Sequence, residues 1–258
     1  MIRPDRSVGW AVLLLAMVFP TILTLAYFVL LSGHSAWLQQ LVYAVGKTIQ
    51  FTFPALVVAL PGMRRSSSGF RIATMRVLSW RLRSGWLRIQ APKLALGAGF
   101  GLLVLAAMFG LYHLMWKANP AFADAIEAIR GKIVGLGINA LWIYVAVGAF
   151  YALCHSGLEE YYWRWFVFGQ LRNRLRWTFA VAVSSLAFMA HHVIVLATYF
   201  GWSSPWTYVF SLSVAVGGVV WAWLYERSGS LAAPWLSHLV VDAAIFLVGY
   251  DLAQDVLT

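Results

Sequence analysis

Three groups of polar residues interrupt otherwise apolar sequence, and their spacing carries chemistry. The first is the run Glu-Glu-Tyr-Tyr-Trp-Arg, with Glu159, Glu160 and Arg164. Glu160 and Arg164 are four apart, so on a helix they share a face and can pair. Glu159 is turned about 100° away from Glu160. It is therefore free to point elsewhere, and a carboxylate not held by an arginine suits a general base. The second group is Phe188-Met-Ala-His191-His192, and the third is His238-Leu-Val-Val-Asp242. His238 and Asp242 are again four apart, so the carboxylate can orient the imidazole. Glu159, His192 and His238 can together activate a water, either directly or through zinc or another divalent metal that all three would ligate. The same residue types also serve proton or ion transport and structural polar networks. His191 falls on a different helix face from His192, His155 lies one turn before Glu159 and could tune it, and His34 and His113 have no evident partner.

Each group sits inside a long apolar run. Of the 258 residues, 62% are hydrophobic and 11% charged. A soluble domain has about 25% charged residues, so most of this surface must face lipid. A spanning helix needs about 20 mostly apolar residues. The sequence predicts seven: 10–31, 38–60, 94–115, 138–168, 177–200, 206–225 and 231–250. The first follows Arg3 and Arg6 and resembles a signal peptide, but it has no small-x-small cleavage site and reads as an uncleaved anchor. The fold class is thus all-α, a polytopic membrane bundle in one domain, 1–258. Residues 1–137 form its N-terminal helices and basic segment, and 138–250 carry the three groups. A charge buried in a bilayer costs on the order of 3 kcal/mol even on the gentlest scale. Glu159 lies about 20 Å along the helix from Arg172, and His192, His238 and Asp242 fall at similar depth on two other helices. A shared depth predicts one polar chamber, opening toward the cytoplasm.

The net charge of +10 would suggest nucleic acid in a soluble protein. Here the basic residues lie in short loops, and no nucleic-acid partner is expected. With the N-terminus in the cytoplasm, fourteen fall on that side: Arg3, Arg6, the eight from Arg64 to Lys93, Arg172, Arg174, Arg176 and Arg227. Lys117, Arg130 and Lys132 fall on the other side. This bias fixes orientation and places the C-terminus on the far side. Between the second and third spans, Met75, Leu78, Leu82, Trp86 and Ile89 form one apolar stripe flanked by arginines. That pattern predicts one amphipathic helix lying in the interface, with segment 64–93 against anionic lipid. Cys154 is the single cysteine and reads as a small core residue.

The three groups, in this order on separate membrane helices, resemble the motifs of the CAAX prenyl endopeptidases (the CPBP or Abi family): Glu-Glu-x-x-x-Arg, Phe-x-x-x-His, and His-x-x-x-Asn or Asp. The run Arg227-Ser-Gly-Ser-Leu231 is similar to the family's lead-in to its last motif. The resemblance spans about residues 140–245. It implies an intramembrane endopeptidase acting on a membrane-associated peptide or protein tail. Prenylated C-termini, small peptides and membrane sorting tails are all substrates of such relatives. By the same resemblance Glu159 is the base, His192 assists it, His238 and residue 242 meet the oxyanion, and Glu160 with Arg164 holds the helix. Asp242 stands where an asparagine is usual. An ionised carboxylate cannot donate a hydrogen bond to an oxyanion, so Asp242 must be protonated, orient His238 or ligate a metal. The absence of a His-Glu-x-x-His helix favours chemistry without a metal cofactor. The alternative to proteolysis is a proton-coupled transporter, or an immunity or binding protein, built on the same cluster.

Topology is directly testable. A reporter fused after Arg176 should report cytoplasm and one fused after Ser203 the opposite compartment; the same compartment for both removes the fifth crossing.

Overall fold

Backbone in hydrocarbon must satisfy its own hydrogen bonds, and a helix does so within one segment. The computed structural model describes residues 8–59 and 84–257, and among them the regular structure is helical throughout. In chain order the helices are α1 (Trp10–Leu30), α2 (Ala36–Ala59), α3 (Ser84–Leu111), α4 (Ala123–Gly135), α5 (Leu141–Arg172), α6 (Trp177–Phe200), α7 (Pro205–Ser228) and α8 (Ala232–Ala253). A wide turn over Tyr112–Trp116 continues α3. All except α4 belong to spans long and apolar enough to cross a membrane. The protein is therefore a multi-pass membrane bundle, as its hydropathy predicts.

Arg172, Arg174 and Arg176 mark one end of the bundle, here the basic end. The turns at 31–35, 117–122 and 201–204 mark the other. Leu14, Val18 and Ile22 on α1, Phe179, Val183 and Leu186 on α6, and Leu212, Val216 and Val219 on α7 are exposed. Apolar faces of this extent are unfavourable in water and meet acyl chains in a bilayer.

Inside, α8 packs on α3 and α7, α7 on α6, and α6 on α1. The α3–α8 approach depends on two glycines four apart. A side chain at Gly97 would collide with the Ala233 carbonyl oxygen. At Gly101 a Cβ would lie 2.9 Å from both the Ser237 carbonyl oxygen and Val240 Cβ. Small residues at this spacing let two membrane helices meet backbone to backbone. They bring in the stretch of α8 that carries His238. The large buried aromatics, Trp163, Phe166, Phe168, Phe188, Trp221 and Tyr225, lie from mid-bundle to the basic end. Across this core the Tyr162 hydroxyl donates to the Ala16 carbonyl at 2.6 Å, tying α5 to α1.

Two features differ from expectation. The helix α4 was not foreseen. It has 13 residues, too few to cross, and carries four charges, so hydropathy passes over it. Its signal was electrostatic: Asp124 in the first turn and Lys132 in the last complement the helix dipole. Arg130 pins it, donating to the Leu252 carbonyl at 2.6 Å and pairing with Asp255 at 3.2 Å. The interfacial stripe from Met75 to Leu82 lies outside the described residues. From Ser84 onward the chain is helical and runs unbroken into α3, which begins ten residues before the expected Leu94.

The glycine contact yields a paired test. Gly101→Leu should cost about 1–3 kcal/mol, typical of overpacking, read as a lowered Tm in detergent. Gly99→Leu should leave Tm unchanged, because a Cβ there meets nothing within 4 Å.

Candidate active site

The site is built on an irregular stretch of α5. Five α-helical residues, Ser156–Glu160, are flanked by π-helical turns over Phe150–His155 and Tyr161–Phe168. Such i→i+5 turns gather at functional sites because they re-aim side chains. The chain supports this geometry locally. The Ser156 hydroxyl donates to the Ala152 carbonyl at 2.5 Å. The Trp235 indole of α8 donates to the Leu153 carbonyl at 3.0 Å, and a Cβ at Gly157 would sit 3.2 Å from the indole nitrogen. Glycine at 157 is therefore what admits that tryptophan, three residues before His238.

Glu160 is fully buried and holds two partners. Its Oε2 lies 3.3 Å from Arg164 Nε, the pairing that the spacing predicts. Its Oε1 accepts a hydrogen bond from Nδ1 of His238 at 2.8 Å, which the sequence did not indicate. Arg164 spreads its guanidinium over Phe188 and Trp221, with ring centroids 4.7 and 5.0 Å away. The His238 ring stacks on Trp221 at 4.0 Å and 14°. Trp221 is itself fixed by donating to the Ser237 hydroxyl at 3.0 Å. One carboxylate thus joins α5 to α8, with aromatic rings of α6 and α7 packed around the join.

Glu159, 3% exposed, points away from Arg164 toward imidazoles. Its Oε1 lies 3.8 Å from His155 Nε2 and 3.9 Å from His191 Nε2. Its Oε2 lies 3.9 Å from His238 Nε2. Asp242 Oδ1 is 3.5 Å from that same His238 nitrogen, so Asp242 faces the ring's free end while Glu160 does the orienting. These separations exceed direct hydrogen bonds and leave Glu159 among ring nitrogens at a spacing a water can bridge. Several buried polar atoms here lack a hydrogen-bond partner among the described residues: Nδ1 of His191, Nε2 of His155 and both terminal nitrogens of Arg164.

All three sequence groups converge, with a different emphasis from the one expected. His191, read as bland, stacks on Trp163 (5.8 Å, 8°) and presents Nε2 to Glu159. His192 is its neighbour, ring centroids 4.1 Å apart, and its Nδ1 donates to the Phe188 carbonyl at 3.0 Å. That hydrogen bond leaves Nε2 as its free nitrogen. Phe188 of the second motif contacts Arg164, His191 and His192. Among the described residues no group of three His, Cys, Asp or Glu is arranged to hold a metal ion. Cys154, expected in the core, is exposed.

Lys47 of α2 is a neighbour that motif reading missed. Its ammonium lies over the Tyr43 and Phe51 rings at 5.5 and 5.4 Å. Phe51 in turn meets the His155 ring edge-on at 6.0 Å. The signal was available, since a lysine in the middle of an apolar span asks for a reason. Toward the basic end Trp163, Phe166, Phe168, Trp221 and Tyr225 pack in the aromatic core.

Residues 139–244 match the family model described as Type II CAAX prenyl endopeptidase Rce1-like. No curated protein and no solved structure matches the chain. The matched segment contains every residue of the three motifs, from Glu159 to Asp242. Over that segment the chain is similar to the CAAX prenyl endopeptidase family of membrane proteases.

Proposed function

We propose that the protein hydrolyses a peptide bond in the tail of a membrane-associated protein or peptide, using a water activated by Glu159. The name of the matching family points to prenylated tails as one substrate class. The observation that carries the reading is the split between neighbours: Glu160 is consumed by Arg164 and His238, whereas Glu159 faces three imidazole nitrogens at 3.8–3.9 Å. A buried carboxylate with no direct cationic partner is positioned to take a proton from water.

In this reading the water sits beside Glu159, held by the His191–His192 pair. Glu159 takes its proton as the oxygen attacks the carbonyl carbon. The oxyanion meets the Nε2–H of His238, here the imidazolium whose Nδ1–H is held by Glu160, and the protonated Asp242, with Nε2 and Asp242 Oδ1 3.5 Å apart. Donors fixed before charge develops are worth more than donors that must reorganise. Glu159 then passes the proton to the leaving nitrogen as the C–N bond breaks. Glu160 and Arg164 position His238 and touch no substrate. No step uses a metal. Glu159, His192 and His238 would be the ligands if one bound. The basic bias sets the N-terminus in the cytoplasm, with segment 64–93 against anionic lipid on that face.

Cleavage of a reporter tail by purified enzyme tests the assignment. Glu159→Gln should fold normally and lose about 10²–10⁴ in rate, the range of general base catalysis. Glu160→Gln should lower stability by about 3–5 kcal/mol, the cost of breaking a buried pair. The reverse pattern overturns the assignment of the two glutamates. On the metal question, cleavage should persist in chelator and Asp242→Asn should keep or raise activity. Chelator-sensitive, zinc-restored cleavage with an inactive Asn variant overturns the metal-free mechanism.

A further inference from the structure

The motifs place reacting groups on α5, α6 and α8, but one more ionisable side chain reaches the same region from α2. Lys47 lies outside the three motifs and outside the matched residues 139–244. It is twelve residues from Ala59, and Glu159 is thirteen from Arg172. Along their helices the two therefore lie about 18 and 20 Å from the same end of the bundle. Ring contacts connect them. The Lys47 amine is 5.4 Å from the centroid of Phe51, Phe51 meets His155 edge-on at 6.0 Å, and His155 Nε2 is 3.8 Å from Glu159.

An ionisable side chain at mid-span needs a partner, and the chain does not supply one. Among the described residues no carboxylate comes within 4 Å of the Lys47 amine and no acceptor takes a hydrogen bond from it. It rests over the faces of Tyr43 and Phe51. Ring faces attract a cation but give its N–H donors no oxygen to bond. The buried carboxylates serve other groups. Glu160 holds Arg164 and His238, Asp242 faces His238, and Glu159 lies among three imidazole nitrogens. What the position lacks is a compact anion with acceptor oxygens. A lipid phosphate stays in the headgroup layer, outside the hydrocarbon core. A peptide tail brings such an anion with it, the terminal α-carboxylate, which is costly to strip of water unless a cation meets it.

We propose that Lys47 binds the free α-carboxylate of the substrate, and so makes a free C-terminus a requirement for efficient cleavage. This rests on the proteolytic reading above. The ring contacts set the scale of the subsite. An extended peptide advances about 3.3–3.6 Å per residue, so a chain end held at Lys47 sets the scissile bond no more than about five residues from the terminus. Lys47 is then a specificity residue: it meets the end of the substrate and takes no part in the proton transfers at Glu159. A tail that ends in an amide, or that runs on past the site, leaves the amine without its anion and binds more weakly.

The test uses the reporter tail in two forms that differ only at the last group, a free carboxylate or a carboxamide. Purified full-length enzyme should cleave the acid with kcat/KM at least tenfold above the amide, the scale of one hydrogen bond to a charged group, and the difference should lie in KM. Lys47→Met keeps the length of the side chain without its charge. It should cut the acid no faster than the amide, and the amide within twofold of the unsubstituted enzyme. Lys47→Arg should keep the preference for the acid. Equal cleavage of the two forms by the unsubstituted enzyme overturns the proposal, and that comparison stands even if a variant fails to fold. Equal loss of acid and amide cleavage in Lys47→Met also overturns it, because the lysine then serves Glu159 or the fold. Failure of the proteolytic reading looks different: the unsubstituted enzyme would cut neither form faster than its Glu159→Gln variant. Binding of the two peptides then decides the carboxylate site by itself, and equal affinity for acid and amide overturns it.

Discussion

A carboxylate without water must find its compensation in the protein, and Glu160 is the group around which this bundle solves that problem. It is fully buried, with Arg164 Nε at 3.3 Å and His238 Nδ1 at 2.8 Å. His238 serves Oε1 with a hydrogen bond, and Arg164 compensates the charge at Oε2 as an ion pair; loss of either is costly in a buried site. Supplying both requires α5 and α8 to dock in one register, and docking brings in their neighbours. Arg164 is covered by Phe188 of α6 and Trp221 of α7, and Trp221 also stacks on His238. A buried charge pair is weak evidence for stability but a strong constraint on register. Here one such pair correlates four helices.

The constraint also sets two adjacent glutamates in different surroundings. With Glu160 engaged by Arg164 and His238, Glu159 faces the imidazoles from a short α-helical stretch between two π turns. The wide turns free backbone carbonyls, and α8 answers one of them through Trp235. The contact that repairs the backbone therefore also fixes the helix that delivers His238. The same logic explains why Gly97, Gly101 and Gly157 matter although none carries a reactive group: each admits the close approach of α8.

How much of this the sequence carries depends on the kind of physics involved. Spans are legible because twenty apolar residues have few other uses, and α6 matches its expected bounds, Trp177–Phe200. The Glu160–Arg164 pair is legible because i, i+4 spacing survives the irregular turn that begins at Tyr161. The partner of His238 is not, because Glu160 and His238 are 78 residues apart and meet only through packing. Nor is the choice between His191 and His192. An ideal helix sets them about 100° apart, and only the tertiary position of Trp163, on which His191 stacks, shows which one faces Glu159. Lys47 and α4 were hidden for opposite reasons: one is a charge inside an apolar run, the other a helix too polar and too short for a hydropathy window.

The two ends of the bundle are built to different requirements, and the site sits at the boundary between them. Residues that hold a reacting geometry need a rigid surround, and the aromatic core from Trp163 to Tyr225 provides one at the basic end. At the opposite end, α4 is fastened by an ion pair of Arg130 with Asp255 and a hydrogen bond from Arg130 to the Leu252 carbonyl, while Lys117 ties the end of α3 to Asp251 on α8. Such exposed ion pairs are worth little individually. Weak contacts at that end and the buried charge network nearer the basic end place the register of Glu160 with His238 where it does not depend on the ion pairs of α4.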